Sequence, residues 1–231
     1  MSLPEVVARD EWLAARQQLL VREKELTRQR DLLNADRRRL PMVRIDKDYV
    51  FEGPDGKAGL LDLFGDSRQL IVYHAMFDPS WDAACPSCSA GMDESSPAVI
   101  AHLKARDTSY VRVARAPYPK IAAYQAARGW AFPWYSSYDS DFNYDFQVTL
   151  DASVTQIEYN YRPADALVLD GATELPGFSC FLRDGDAVFH TYSAYARGTE
   201  PHNGIYPLLD LTALGRQEVW EEPKGRADKT Y

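Results

Sequence analysis

Cys85 and Cys88 stand three residues apart in the run Trp81-Asp-Ala-Ala-Cys-Pro-Ser-Cys88. Positions i and i+3 lie about one helical turn apart, so two such sulfurs can join in a disulfide if they point together. The pair follows an apolar stretch that reads as a buried strand and opens a stretch that reads as a helix. A thiolate at a helix amino terminus is favoured by unpaired backbone N–H groups and by the helix dipole, which lowers its pKa. Cys85, at the exposed tip, is therefore the expected nucleophile. Cys88, one turn inside, is the expected thiol for resolving a mixed disulfide. Zinc needs four ligands, and Cys180, His74, His102, His190 and His202 form no second close pair. No metal and no cofactor is expected.

Other residues are weaker candidates. Arg115 follows a strand, where open α/β sheets place their ligand crevice, and could stabilise the Cys85 thiolate; a surface or ion-pairing Arg is the alternative. His74 is polar inside an apolar strand; a satisfied core histidine is the simpler reading and a proton relay the alternative. Cys180 reads as a small core residue. The aromatic cluster from Trp130 to Tyr138 reads as core packing, with the roof of a substrate groove as the alternative.

The elements that must position these residues are legible in outline. Ser2-Leu-Pro-Glu5 carries a capping Ser, an early Pro and a Glu three residues after the cap, the marks of a helix start. No Gly or Pro follows until Pro41, and Trp12, Leu19, Leu26 and Leu33 recur every seven residues. This predicts a helical extension over 1–40 whose apolar seam packs on the main body or on a second copy of the chain. The main domain is expected over 41–231. It reads as a β-like stretch from Met42 to Phe51, a turn at Gly53-Pro-Asp-Gly56, and a buried strand over Gln69–Phe77. After the cysteines come a helix from about Cys88 to Lys104, a strand over Ser109–Ala114 and a helix over Tyr118–Arg128. Phe178–Leu182 and Ala187–Tyr192 flank Arg183-Asp-Gly-Asp186, a hairpin signal. Residues 147–174 give no regular pattern, and the tail from Asp210 reads as a short helix with a polar end. Strands alternating with helices predict an α/β fold with a mixed sheet flanked by helices.

Composition narrows the partners. With 34 acidic against 26 basic residues the chain carries a formal charge of -8, which argues against nucleic acid and against anionic membranes. No run of 18 apolar residues occurs, so no membrane span is expected. The amino terminus lacks a basic stretch followed by an apolar one, so a cytoplasmic setting is expected. There a close cysteine pair points to redox chemistry more than to stapling.

The run Phe51-Glu-Gly-Pro-Asp-Gly-Lys, Leu61-Asp-Leu-Phe-Gly, Leu70-Ile-Val-Tyr and Cys85-Pro-Ser-Cys88 resembles the opening of the peroxiredoxin-like branch of thioredoxin folds. Four motifs resemble a bacterial thioredoxin-like family catalogued as domain of unknown function family 899. They are Trp81-Asp-Ala-Ala-Cys-Pro-Ser-Cys-Ser89, Ala105-Arg-Asp-Thr108, Ser140-Asp-Phe-Asn-Tyr-Asp-Phe146 and His190-Thr-Tyr-Ser-Ala-Tyr-Ala-Arg-Gly198. The resemblance covers nearly the whole chain. It implies a thioredoxin-like fold and a dithiol–disulfide oxidoreductase acting on a disulfide-containing substrate or a thiol reductant. It also implies Cys85 as attacker and Cys88 as resolver, and Pro176 in the place where thioredoxins carry a cis-proline facing the pair. The Trp that thioredoxins place just before the first cysteine is replaced by Ala84, and the nearest is Trp81. The peroxidase pattern Pro-(x)3-Thr-(x)2-Cys is not met: Pro79 is six residues before Cys85, with no Thr between.

Overall fold

The computed structural model describes residues 3–164, 167, 171–202 and 204–224. The chain divides into two compact units, Met1–Pro41 with Ile205–Tyr231, and Met42–Gly204. In the first, α1 runs from Arg9 to Arg37. It starts later than the Ser2 cap predicts. Val6 and Val7 are β-branched and lose side-chain freedom in a helix, and Val6 is exposed, so packing does not compensate it. No residue of α1 is buried, and Trp12, Leu19, Leu26 and Leu33 of the predicted seam are exposed. The short helix α6 spans Ile205–Leu209, just before the Asp210 at which the sequence suggests one.

The second unit is built on one eight-stranded sheet. Its strands are β1 (Val43–Arg44), β2 (Val50–Gly53), β3 (Gly56–Gly59), β4 (Gln69–His74), β5 (Thr108–Ala114), β6 (Trp134–Ser136), β11 (Gly177–Asp184) and β12 (Ala187–Tyr195). They lie in the order β1-β12-β11-β4-β5-β6-β2-β3. β4, β5 and β6 are parallel neighbours, and every other pairing in the sheet is antiparallel. The β11–β12 hairpin turns at Gly185, whose φ of +58° suits a residue without a Cβ. Four two-residue strands, β7 (Thr149–Leu150), β8 (Glu158–Tyr159), β9 (Arg162–Pro163) and β10 (Thr173–Glu174), occupy the stretch that gives no pattern in sequence and pair as two small antiparallel sheets, β7 with β10 and β8 with β9. A parallel β4–β5 pair beside an antiparallel hairpin, with the cysteines opening the helix after β4, is the thioredoxin-like arrangement. The fold is thus a mixed sheet flanked by helices, with a long amino-terminal helix.

Alternation along the strands divides the core into two layers. Leu70 and Val72 join Phe51, Phe64, Val111, Phe142 and Phe181 on one face, where α5 (Phe142–Asp145) packs. Tyr73 joins Phe77, Cys88, Met92, Ile121 and Trp134 on the other, under α2 (Pro86–Asp93) and α4 (Tyr118–Arg128). The single helix expected from Cys88 to Lys104 is two. α2 stops at Asp93, and α3 (Pro97–Lys104) restarts with Ser96 as cap, its hydroxyl accepting from the Val99 N–H at 3.3 Å. Pro97 can open a helix but has no N–H to continue one.

Candidate active site

Cys85 is the cap residue of α2, with extended backbone (φ -49°, ψ 132°) and Pro86 in the first helical position. Its carbonyl accepts the Ser89 N–H at 2.9 Å, and its N–H donates to the Met76 carbonyl at 2.9 Å. Met76 answers with its own N–H, donated to the Cys88 sulfur at 3.4 Å. These bonds close the loop 76–85, so strand end and helix start hold the two sulfurs near each other. Cys85 is half-buried, while Cys88 is 1% exposed in the layer with Tyr73, Phe77 and Met92.

The two thiols are driven apart electrostatically. The Cys85 pKa falls to about 6, chiefly because Cys88 donates its S–H to the Cys85 sulfur. The N–H groups of Cys88 and Ser87 and the Ser87 hydroxyl add to this, against the opposing cost of burial. Cys88 is raised well above the ordinary thiol value, first by its bond to Cys85 and then by burial. The Tyr73 hydroxyl and the Met76 N–H favour the Cys88 thiolate and so oppose that rise. One sulfur is poised to ionise near neutral pH and its neighbour holds the proton.

The loop before the pair is pinned from two helices' worth of chain away. Asp78 accepts from the N–H and hydroxyl of Ser80 at 2.8 and 2.6 Å, and its carbonyl accepts the Trp81 N–H at 3.1 Å. Lys120 on α4 donates to the carbonyls of Pro79 at 2.8 Å and Trp81 at 2.6 Å. Trp81 itself is exposed. Arg115 donates to Asp78 at 2.6 Å, to Glu174 at 2.7 Å and to the Tyr144 hydroxyl at 3.1 Å. Glu174 is buried and also accepts from Thr149.

The remaining candidates take their places in the fold, and one expectation, a cis bond before Pro176, needs correction. Arg115 is held by Asp78, Glu174 and Tyr144, so its charge braces the loop; the stronger carboxylate partners claim the guanidinium ahead of the Cys85 sulfur. His74 is a core residue, 1% exposed, bonded to the Ser179 hydroxyl at 2.8 Å and stacked on Phe142 and Phe146. Alternation turns it to the face opposite Tyr73 and the cysteines, which removes it as a relay to Cys85. The Leu175–Pro176 peptide is trans; among the described residues Glu222–Pro223 is the cis bond. An extended path satisfies both ends here. Leu175 donates its N–H to the Val148 carbonyl at 2.8 Å, and the Pro176 carbonyl accepts from the Tyr159 hydroxyl at 2.9 Å. Pro176 still enters β11 beside the end of β4, since Gly177 pairs with His74. Trp130, Phe132 and Trp134 stack with Tyr124 and Phe77 as core.

Sequence reading missed Tyr73, Arg112, Lys120 and Glu174. Arg112 carried a signal, a charge at a strand position flanked by apolar residues in Tyr110-Val-Arg-Val-Ala114. Glu174 lay in the patternless stretch and Lys120 on an ordinary helix face, where sequence gives no cue.

A helix-capping cysteine with a second thiol one turn below, on a thioredoxin-like sheet, defines a candidate dithiol protein. The chain belongs to the family described as "Bacterial protein of unknown function (DUF899)", which matches residues 1–230. No curated protein matches it. Among solved structures it is similar to peroxiredoxin Q of Xanthomonas campestris, with 15% identity, TM-score 0.44, and 68% of this chain and 84% of that one covered. It is also similar to peroxidoxin BcpB of Mycobacterium tuberculosis, with 14% identity, TM-score 0.48, and 70% and 92% covered.

Proposed function

We propose that this protein is a thiol–disulfide oxidoreductase in which Cys85 attacks and Cys88 resolves. The Cys85 thiolate attacks one sulfur of a substrate disulfide R–S–S–R′, forming Cys85–S–S–R and releasing R′–S⁻, which takes a proton from solvent. Cys88 then loses its proton and attacks the Cys85 sulfur. The internal disulfide forms, the bond to R breaks, and R–S⁻ leaves with a proton taken up in turn. The substrate is reduced by two electrons and the pair is oxidised; a thiol reductant restores it by the reverse exchange. The observation that carries this reading is the asymmetry of the pair, a half-buried cap thiol drawn down to about 6 beside a buried thiol that keeps its proton. A cytoplasmic setting and a second copy of the chain bound through α1 complete the reading. No helix among the described residues is long and apolar enough to cross a membrane.

The test compares reduction of a protein disulfide with consumption of peroxide. Disulfide reduction that vanishes in Cys85→Ser, with a mixed disulfide trapped on Cys85 in Cys88→Ser, supports the reading. Peroxide turnover without disulfide reduction would make it a peroxidase instead. Unreactive thiols in both assays would leave a binding module.

A further inference from the structure

Arg112 lies in the middle of β5, and no part of it reaches solvent. Its guanidinium is sandwiched between the rings of Tyr110, 3.9 Å from the centroid, and Phe132, at 4.0 Å. One nitrogen, Nη2, bonds the Ser95 hydroxyl in the α2–α3 linker, while Nε and Nη1 are buried with no partner. Among the described residues no carboxylate bonds it. A buried cation without a carboxylate partner is costly to keep in a fold, and strongly perturbed charged groups cluster at functional sites. The thiol buried on this face that must ionise for the resolving step is Cys88. Arg112 is the register partner of Tyr73 across the parallel β4–β5 ladder, so the two side chains are neighbours under α2. Tyr73 and Cys88 pack in one buried layer, where the Tyr73 hydroxyl favours the Cys88 thiolate.

We propose that Arg112 is a positioning residue for the resolving step, its charge acting through Tyr73 to stabilise the buried Cys88 thiolate once Cys85 is tied up in a mixed disulfide. This rests on the exchange reading above. In the free dithiol, Cys88 donates its proton to the Cys85 thiolate and stays neutral. When Cys85 bonds to a substrate sulfur, that acceptor charge disappears, and with it the largest cause holding the Cys88 proton. Burial then opposes ionisation, and what favours it is the Met76 N–H, the Tyr73 hydroxyl and the cation behind that hydroxyl. The titratable or charged groups around the sulfur are Cys85 on α2, Tyr73 on β4 and Tyr159 on β8, with Arg112 and Tyr110 on β5 and Glu94 beyond them. Arg112 is the cation of this set. The Cys88 proton leaves to solvent, and the departing thiolate takes one up, so the step is neutral overall.

The experiment uses the full chain carrying Cys180→Ser, reduced and mixed with one equivalent of 5,5′-dithiobis(2-nitrobenzoate). The first release of chromophore reports attack by Cys85, and the second reports attack by Cys88 on the mixed disulfide. Arg112→Met should leave the first release within about twofold, slow the second about tenfold or more at pH 7, and move its pH midpoint upward by about one unit, since one unit is a tenfold change in thiolate. Arg112→Lys should recover most of the rate. Tyr73→Phe should slow the second release alone. A purely structural Arg112 would change the melting temperature and leave the midpoint of the second release where it was, which overturns the proposal. If Arg112→Met does not fold, an unaltered second release in Tyr73→Phe overturns it equally. Absence of the first release in the parent protein would instead sink the exchange reading itself.

Discussion

At the residue scale, the two thiols differ because one sits above the first turn of α2 and the other inside it. Cys85 meets helix N–H groups and the Cys88 proton, whereas Cys88 meets an apolar layer. The rate of Cys85 alkylation should therefore rise with pH through a midpoint near 6 and level off by pH 7.5. A free cysteine titrates near ~8.5, and a midpoint there would remove the basis for its role as attacker. His74 makes a second prediction. Burial pushes its pKa down to about 3, and His190, linked to it through Ser179 and Ser193, is also lowered by burial. Unfolding lets each imidazole take up a proton below the unfolded value of about 6.5. Stability is thus full above about pH 6.5 and falls as pH drops towards 3. Urea midpoints at pH 7.5 and pH 5 should differ in the native protein and differ less in His74→Gln.

At the element scale, the loop between β4 and α2 is the part that must hold its shape for the cysteines to meet. It is tied to α4 through Lys120 and to the β7–β10 pair through Arg115, Glu174 and Thr149. The Arg115 network is partly buried, so removing its cation leaves two carboxylates facing each other with little water. Replacing Arg115 with Met should destabilise the fold by about 3–5 kcal/mol, the range for stripping one partner from a buried ion pair. Denaturant titration checks this, and a loss below about 1 kcal/mol would show that water takes over the pairing. The added Glu174→Gln change should restore part of the loss, because Glu174 is the most buried acid of the set.

At the scale of the whole molecule, α1 is the feature that carries an exposed apolar row. It presents Trp12, Leu19, Leu26 and Leu33 at 47%, 47%, 63% and 51% exposure, a row that soluble chains seldom leave in water. Association through this row should appear in light scattering as a dimer at micromolar concentration. Leu19→Glu together with Leu26→Glu should return the protein to a monomer without changing its sheet. A monomer for the unaltered chain at all accessible concentrations would remove the second copy from the functional reading.

The sequence alone determined what depends on neighbours along the chain. The Gly53–Gly56 turn, the α4 span, the β11–β12 hairpin and the cysteine pair before a helix all follow from local spacing, turn chemistry and period. Tertiary structure decided what depends on strands meeting across the sheet. Which face His74 takes, which carboxylates claim Arg115, the trans path through Pro176 and the pairing of Arg112 with Tyr73 each require knowing that β4 lies between β5 and β11. The break at Asp93 and the late start of α1 are local, set by the Ser96 cap with Pro97 and by the β-branched Val6 and Val7, whereas a face or a charge partner exists only once strands distant in sequence lie side by side.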